Sequence, residues 1–143
     1  MLWGEVMGDI SPGKLSFSTV KSLNQVKVLG WKYWNRNSPK PFRLRVAFLK
    51  VVDLAKCRTQ YEALSNRLFQ REDNIICTKA NPLAVIEWVK EDSGEPLLNE
   101  DNKIIGINTS LCVGASKHKL LDTINFHINL RYYKNFIYSV VQN

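Results

Sequence analysis

The chain has 143 residues, of which 45% are hydrophobic, so it can form one domain with a buried core and is not a disordered tail. Its 20 Lys and Arg against 13 Asp and Glu give a formal net charge of +7. The basic residues form no continuous tract, which favours a solvated basic surface over a nucleic-acid-binding patch. No apolar run has the length of a membrane span or of a signal peptide, so we expect neither in this chain.

The first half of the sequence predicts two strands and a helix. Residues 24–29 and 42–51 alternate between apolar and polar positions, which is the period of a strand. In the second segment four apolar side chains share one face, which indicates a half-buried strand. They are Phe42, Leu44, Val46 and Phe48. Residues 55–69 carry apolar side chains at the spacing of one helical face. These are Cys57, Tyr61, Leu64 and Leu68.

The second half predicts further strands and a final helix. Short apolar runs occur at residues 74–78, 84–89 and 103–108, with the turn-rich residues 91–102 between the last two. From Leu130 the helical spacing returns in an apolar stripe. We predict that this segment packs in the core, rather than that its aromatic residues stack on nucleic-acid bases; they are Tyr132, Tyr133, Phe136 and Tyr138. The stripe consists of Leu130, Tyr133, Ile137 and Val140. Short strands with a terminal helix are typical of an antiparallel barrel or sandwich.

Six short motifs follow one another along the chain. They are Gly30-Trp31, Cys57 with Tyr61, Ile76-Cys77-Thr78, Asp92-Ser93-Gly94, Ile105-Gly106-Ile107, and Tyr133 with Phe136-Ile137. Their order resembles the C-terminal half of trypsin- and chymotrypsin-like serine proteases, over roughly residues 24–138. The resemblance implies an all-β fold, namely the family's second barrel: an antiparallel six-stranded Greek-key barrel with one short intermediate helix and a C-terminal helix. It also implies a partial N-terminal segment or linker at residues 1–23 and the barrel at residues 24–143.

The resemblance places Ser93 at the nucleophile position of a serine endopeptidase. It implies that the backbone N–H groups of Glu91 and Ser93 form the oxyanion hole, and that Asp92 is the carboxylate that pairs with a new amino terminus after zymogen cleavage. Glu91 and Glu95 replace two glycines of the family. The Glu91 carboxylate opposes the stabilisation of a developing negative charge, and we expect strain at Glu95, where the family has glycine.

A serine hydroxyl needs an adjacent base, usually a histidine that a carboxylate orients. The family takes both groups from its first barrel. In this chain the two histidines, His118 and His127, follow Ser93, and neither lies in the family's histidine context. We therefore expect a loop histidine and an ordinary strand histidine, and no recognisable catalytic triad. Without a base, hydrolysis by this chain alone would be slower by several orders of magnitude.

The resemblance places four residues in the specificity pocket. They are Glu87, Trp88, Thr109 and Leu111. Glu87 stands where trypsin-like members have an aspartate, so either it confers a preference for Arg or Lys in the substrate or it is a surface carboxylate. Trp88 is large enough to fill the pocket, and Leu111 would narrow an entrance that glycine keeps open in the family.

The three cysteines match no metal-ligand spacing, and their odd number leaves at least one thiol unpaired. The resemblance implies a disulfide between Cys57 and Cys77. Cys112 would then be free, because Val89 stands where the family has its partner. We expect no metal and no cofactor.

Three functions remain open. The first is a serine endopeptidase that hydrolyses peptide bonds, with the base supplied by an N-terminal barrel outside this chain. The second is a non-catalytic protease homologue that binds a protease, an inhibitor or another protein. The third is a basic β-barrel that binds nucleic acid. We expect a protein partner, no nucleic acid and no membrane, and the resemblance implies a secreted, extracellular protein.

Overall fold

The computed structural model of the chain describes residues 11–30, 44–69, 73–80, 93–113 and 124–141. Within these residues the elements are, in chain order, β1 (Gln25–Gly30), β2 (Arg45–Val52), α1 (Leu54–Ser65), β3 (Ile75–Ala80), β4 (Pro96–Leu98), β5 (Ile104–Val113), β6 (Ile124–Asn129) and α2 (Lys134–Val141). The described residues contain no helix that is long and apolar enough to cross a membrane.

The strands close into one antiparallel barrel in the order β1-β2-β3-β6-β5-β4, which confirms the predicted fold class. The barrel closes through β4, which pairs with both β1 and β5. This strand lies inside residues 91–102, which the sequence predicted as turns. That prediction was wrong at Pro96–Leu98, because a strand of three residues is too short to show a period. The predicted strand at 84–89 lies outside the described residues.

The barrel interior has two chemically distinct halves. The apolar half is a cluster of buried aliphatic side chains from β1 to β5: Val26, Val28, Leu49, Val51, Ile76, Leu97 and Ile105. The polar half consists of buried side chains from the neighbouring strands β3, β5 and β6: Thr78, Asn108, Asn125 and His127. The register places both halves inside, since Val51 lies opposite Thr78 and Asn108 lies opposite His127. Burial of apolar surface therefore stabilises one half. In the other half the hydrogen bonds of His127 to Thr78 and Asn108 offset the cost of burying polar groups.

The inward face of β2 is not the face that its sequence suggested. Leu49 and Val51 point into the barrel. Leu44, Val46 and Phe48 lie on the outer face and are 46%, 44% and 45% exposed. The expectation of a half-buried strand holds, but the apolar face that suggested it is the exposed one. Alternation shows that a strand has two faces, and only the pairing with β1 and β3 decides which of them points inward.

Helix α1 packs on the outside of the barrel and is shorter than predicted. It begins after Asp53, whose carboxylate accepts a hydrogen bond from the backbone N–H of Ala55 at 3.0 Å, as an N-cap residue does. It ends at Ser65 because Asn66 is left-handed, with φ 53°. Leu68 therefore lies outside the helix and is exposed, and Phe69 is buried instead.

A buried cluster joins α1 to the outer face of β3 and β6. Its members are Cys57, Phe69, Cys77, Ile124 and Phe126. The predicted disulfide between Cys57 and Cys77 is confirmed, and both cysteines are buried. A loop of this size contributes about 3 kcal/mol to stability when it is closed by a disulfide.

The terminal helix is less buried than its apolar stripe predicted. Leu130 is buried, but it precedes α2, which begins at Lys134. No residue of α2 is buried, and Phe136 and Val140 are exposed. The expected core packing was therefore correct for Leu130 and wrong for the helix itself. Instead, Tyr138 makes an edge contact with Phe17, with ring centroids 5.3 Å apart.

Candidate active site

Ser93 lies on an exposed turn immediately before β4. Gly94, the next residue, has a φ of +94°, which L side chains rarely adopt. The positive φ of Gly94 therefore explains why glycine follows the serine in Asp92-Ser93-Gly94. The turn presents Ser93 to solvent at one end of the barrel.

Two backbone hydrogen bonds attach this turn to β5. The Gly94 N–H donates to the Asn108 carbonyl oxygen at 2.9 Å, and the Asn108 N–H donates to the Glu95 carbonyl oxygen at 2.8 Å. Behind them, a Cβ at position 106 would lie 2.7 Å from the Ile128 carbonyl oxygen, so Gly106 permits the close approach of β5 and β6. Asn108 thus links the Ser93 turn to the barrel through its backbone.

The strain expected at Glu95 is absent. Among the described residues, the non-glycine residues with positive φ are Leu23, Asn66 and Asn102. Glu95 therefore has a conformation that any residue adopts, and Gly94 alone carries the left-handed geometry of the turn. The Glu95 carboxylate lies beside Gly30, where its oxygens would be 3.4 and 3.5 Å from a Cβ at position 30.

His127 is enclosed in the polar half of the barrel and is only 2% exposed. Its Nδ1 lies 2.6 Å from Asn108 Oδ1, and its Nε2 lies 2.7 Å from Thr78 Oγ1. Because an amide oxygen only accepts, Nδ1 carries the proton, and Nε2 accepts a hydrogen bond from the Thr78 hydroxyl. Burial lowers the pKa of His127 from 6.5 to about 3, because the imidazolium form would lose its hydration. The ring is therefore neutral, and both of its nitrogens are engaged.

The remaining predicted site residues fall into two groups. Thr109 is described, and its hydroxyl donates to the Phe126 carbonyl oxygen at 2.8 Å. Leu111 belongs to β5. The others lie outside the described residues: Glu87, Trp88, Glu91, Asp92, Cys112 as a side chain, and His118.

Thr78 and Asn108 are the residues that sequence reasoning did not select. Each is buried and hydrogen-bonded to a nitrogen of His127. One signal was present, because a polar residue in an otherwise apolar strand is usually hydrogen-bonded when buried. The identity of the partner was not in the sequence, since it depends on the register of three strands.

The comparison with known families identifies the chain's relatives. The sequence model of the family described as Trypsin matches residues 6–137. The chain belongs to the trypsin family. The resemblance drawn from the six motifs is thereby confirmed, and members of this family are typically secreted. No curated protein matches the chain.

Solved structures of the trypsin fold are similar to the chain along most of its length. Mouse neuropsin, a serine protease, matches 93% of this chain and 55% of its own with a TM-score of 0.70 and 18% identity. Kallikrein-related peptidase 10 matches 96% and 60% with a TM-score of 0.65 and 17% identity. A scabies mite inactivated protease paralogue matches 92% and 53% with a TM-score of 0.65 and 20% identity. At these identities the likeness shows the fold, and the chain spans 53% to 60% of these proteins.

Proposed function

We propose that this trypsin-family barrel binds a protein partner through the surface around Ser93 and does not itself hydrolyse peptide bonds. One observation carries the second half of the proposal: both ring nitrogens of His127 are hydrogen-bonded inside the barrel. A serine hydroxyl becomes a useful nucleophile only beside a base. His127 is the histidine that the described part of the chain contains, and its ring is buried, whereas Ser93 is exposed.

The position of Ser93 supports the first half. Ser93 and Gly94 are exposed, yet two backbone hydrogen bonds to β5 hold their turn. A surface that is both accessible and pre-ordered loses little conformational entropy when a partner binds. Trypsin-family proteins act on proteins, so we infer that the partner is a protein: a protease, an inhibitor, a substrate protein or a further barrel. The disulfide supports an extracellular location.

The altered loop is consistent with loss of catalysis. Under this proposal Ser93 keeps the nucleophile position, while the Glu91 carboxylate disfavours the negative charge of an acyl-transfer intermediate. The resemblance implies that Trp88 and Leu111 restrict the specificity pocket and that Asp92 keeps the position of the zymogen carboxylate. A scabies mite protein of the same fold is described as an inactivated protease paralogue, so the fold has a named precedent for an inactive member.

A serine endopeptidase completed by another polypeptide segment is the second candidate. The exposure of Ser93 favours it, because an incoming histidine would reach the hydroxyl from solvent. In that case the base and its carboxylate come from outside this chain, and the barrel supplies the nucleophile and the pocket.

A fluorophosphonate probe tests catalytic competence, because it reacts with serines that a base activates. We expect the purified chain to label no faster than its Ser93→Ala variant. The matched control is Ser18→Ala, which removes another exposed hydroxyl. Labelling that Ser93→Ala abolishes and Ser18→Ala preserves would contradict the non-catalytic proposal and favour the endopeptidase.

A binding measurement tests the proposed surface. We expect a protein inhibitor of trypsin to bind the chain, and Ser93→Trp to weaken that binding at least tenfold by obstructing the turn. Ser18→Trp, on the N-terminal segment, should leave the affinity unchanged. Binding that survives Ser93→Trp would place the interface elsewhere.

A further inference from the structure

Three lysines converge on a groove of about 380 Å³ outside β2 and β3. Lys50 and Lys79 lie directly opposite each other in the antiparallel register of these strands. Lys56, in the first turn of α1, lines the same groove. We call the surface formed by Lys50, Lys56 and Lys79 the basic groove.

The basic groove carries a net positive charge. Like charges that face each other across two strands destabilise a sheet. Within the described segments no acidic side chain forms an ion pair with these lysines, and the ion pair that does occur there joins Arg58 to Glu62. The groove contains one carboxylate, Asp53. Its Oδ1 accepts hydrogen bonds from the backbone N–H groups of Ala55 and Lys56 at 3.0 and 3.3 Å, which hold it at the start of α1. One carboxylate against three ammonium groups leaves the groove with excess positive charge.

The basic groove is separate from the Ser93 turn. The turn lies near the start of β2, because Glu95 touches Gly30 and Gly30 pairs with Arg45. Lys50 is five residues further along β2, which corresponds to about 17 Å in a strand. An occupant of the groove therefore leaves the surface around Ser93 open.

The surroundings of the groove define its ligand. None of its described lining residues is aromatic, so it offers no surface on which nucleic-acid bases could stack. A set of ammonium groups binds sulfate or phosphate as point charges with several donors each. The disulfide between Cys57 and Cys77 is typical of proteins from oxidising compartments, where the common polyanions are sulfated polysaccharides. We propose that the basic groove binds a sulfated polysaccharide.

The test is calorimetric titration of the full chain with a heparin-derived hexasaccharide at several NaCl concentrations. The groove variant is Lys50→Gln/Lys79→Gln, and the control is Lys14→Gln/Lys103→Gln, which removes the same charge from two exposed lysines outside the groove. We expect the groove variant to bind at least tenfold more weakly, and the slope of log K against log[NaCl] to fall by about one for each lost lysine contact. The control should change the affinity less than threefold.

Stability separates loss of binding from loss of fold. Because the groove variant removes two like charges that face each other, its melting temperature should equal or exceed that of the parent chain. If it unfolds nevertheless, Lys56→Gln provides the same binding test from the helix side. An equal loss of affinity in the groove and control variants would show that net charge binds the polyanion, and would overturn the proposal. So would displacement of the hexasaccharide by double-stranded DNA at equal charge concentration.

Discussion

The two halves of the barrel interior are closed by the same six strands but are held together differently. In the apolar half the buried groups are aliphatic, and their contribution depends on how much surface leaves water. In the polar half, His127 connects β6 to Thr78 on β3 and to Asn108 on β5. Asn108 in turn bonds to the turn that carries Ser93. The difference suggests that the apolar half sets the stability of the barrel, whereas the polar half makes that stability depend on pH and supports the candidate site.

The largest expected effect comes from a cavity in the apolar half. Leu49 is 0% exposed, so Leu49→Ala should remove about 4 kcal/mol from the free energy of unfolding. The measurement is urea denaturation at pH 7. Phe48→Ala is the matched control, because Phe48 precedes Leu49 on β2 and is 45% exposed. A loss at Phe48 as large as that at Leu49 would mean that the outer face of β2 is buried in solution and would contradict the inward assignment.

The second effect is a pH dependence of the free energy of unfolding, which should come from the polar half alone. Below pH 6.5 the unfolded chain protonates His127, whereas the folded chain keeps it neutral down to about pH 3. The unfolded state therefore binds more protons in this window, and the free energy of unfolding falls as the pH falls. Between pH 7 and pH 5 this histidine should account for a loss of about 2 kcal/mol.

The control for this pH dependence is His127→Gln, which retains a polar side chain but cannot titrate. Urea denaturation at pH 7 and pH 5 should show a smaller loss for the variant than for the parent. Leu49→Ala should lower stability equally at both pH values. If the pH dependence of His127→Gln equals that of the parent chain, burial does not lower the pKa of His127.

The sequence was sufficient for the family and the fold class, but not for the short strand β4 or for the contacts that distinguish the two halves. Six motifs in the correct order identified the family, and the resemblance correctly paired Cys57 with Cys77. The polar half could not be read from the sequence, because Thr78 and Asn108 meet His127 only in the register of β3, β5 and β6. The same reason hid the basic groove. Lys50 and Lys79 are far apart in the sequence, so the basic residues are scattered there, and only the pairing of β2 with β3 brings these two lysines together.

A third, smaller effect is expected within the polar half itself. Thr78→Val keeps the shape of the side chain but removes the hydroxyl that donates a hydrogen bond to His127 Nε2, where Oγ1 and Nε2 are 2.7 Å apart. An unsatisfied buried acceptor costs about 1.5 kcal/mol, less than the cavity at Leu49. Thr59→Val is the control, because the Thr59 hydroxyl bonds to a backbone carbonyl on the exposed helix surface. If both substitutions lower the free energy of unfolding equally, the buried hydrogen bond of Thr78 contributes no more than an exposed one.

The smallest effect is on the outer side of the same pair of strands. Inside the barrel Val51 and Thr78 face each other, and outside it Lys50 and Lys79 do. The inner pair gains from burial, while the outer pair repels, so Lys79→Gln should raise the free energy of unfolding by about 0.5 kcal/mol at low salt. The gain should disappear at 1 M NaCl, where the screening length falls to about 3 Å. Lys103→Gln, whose position lies outside the β2–β3 pairing, should give no comparable gain. An increase in the free energy of unfolding that persists at 1 M NaCl would have to come from packing or strand propensity. Lys50 and Lys79 would then not be the repelling pair that the basic groove requires.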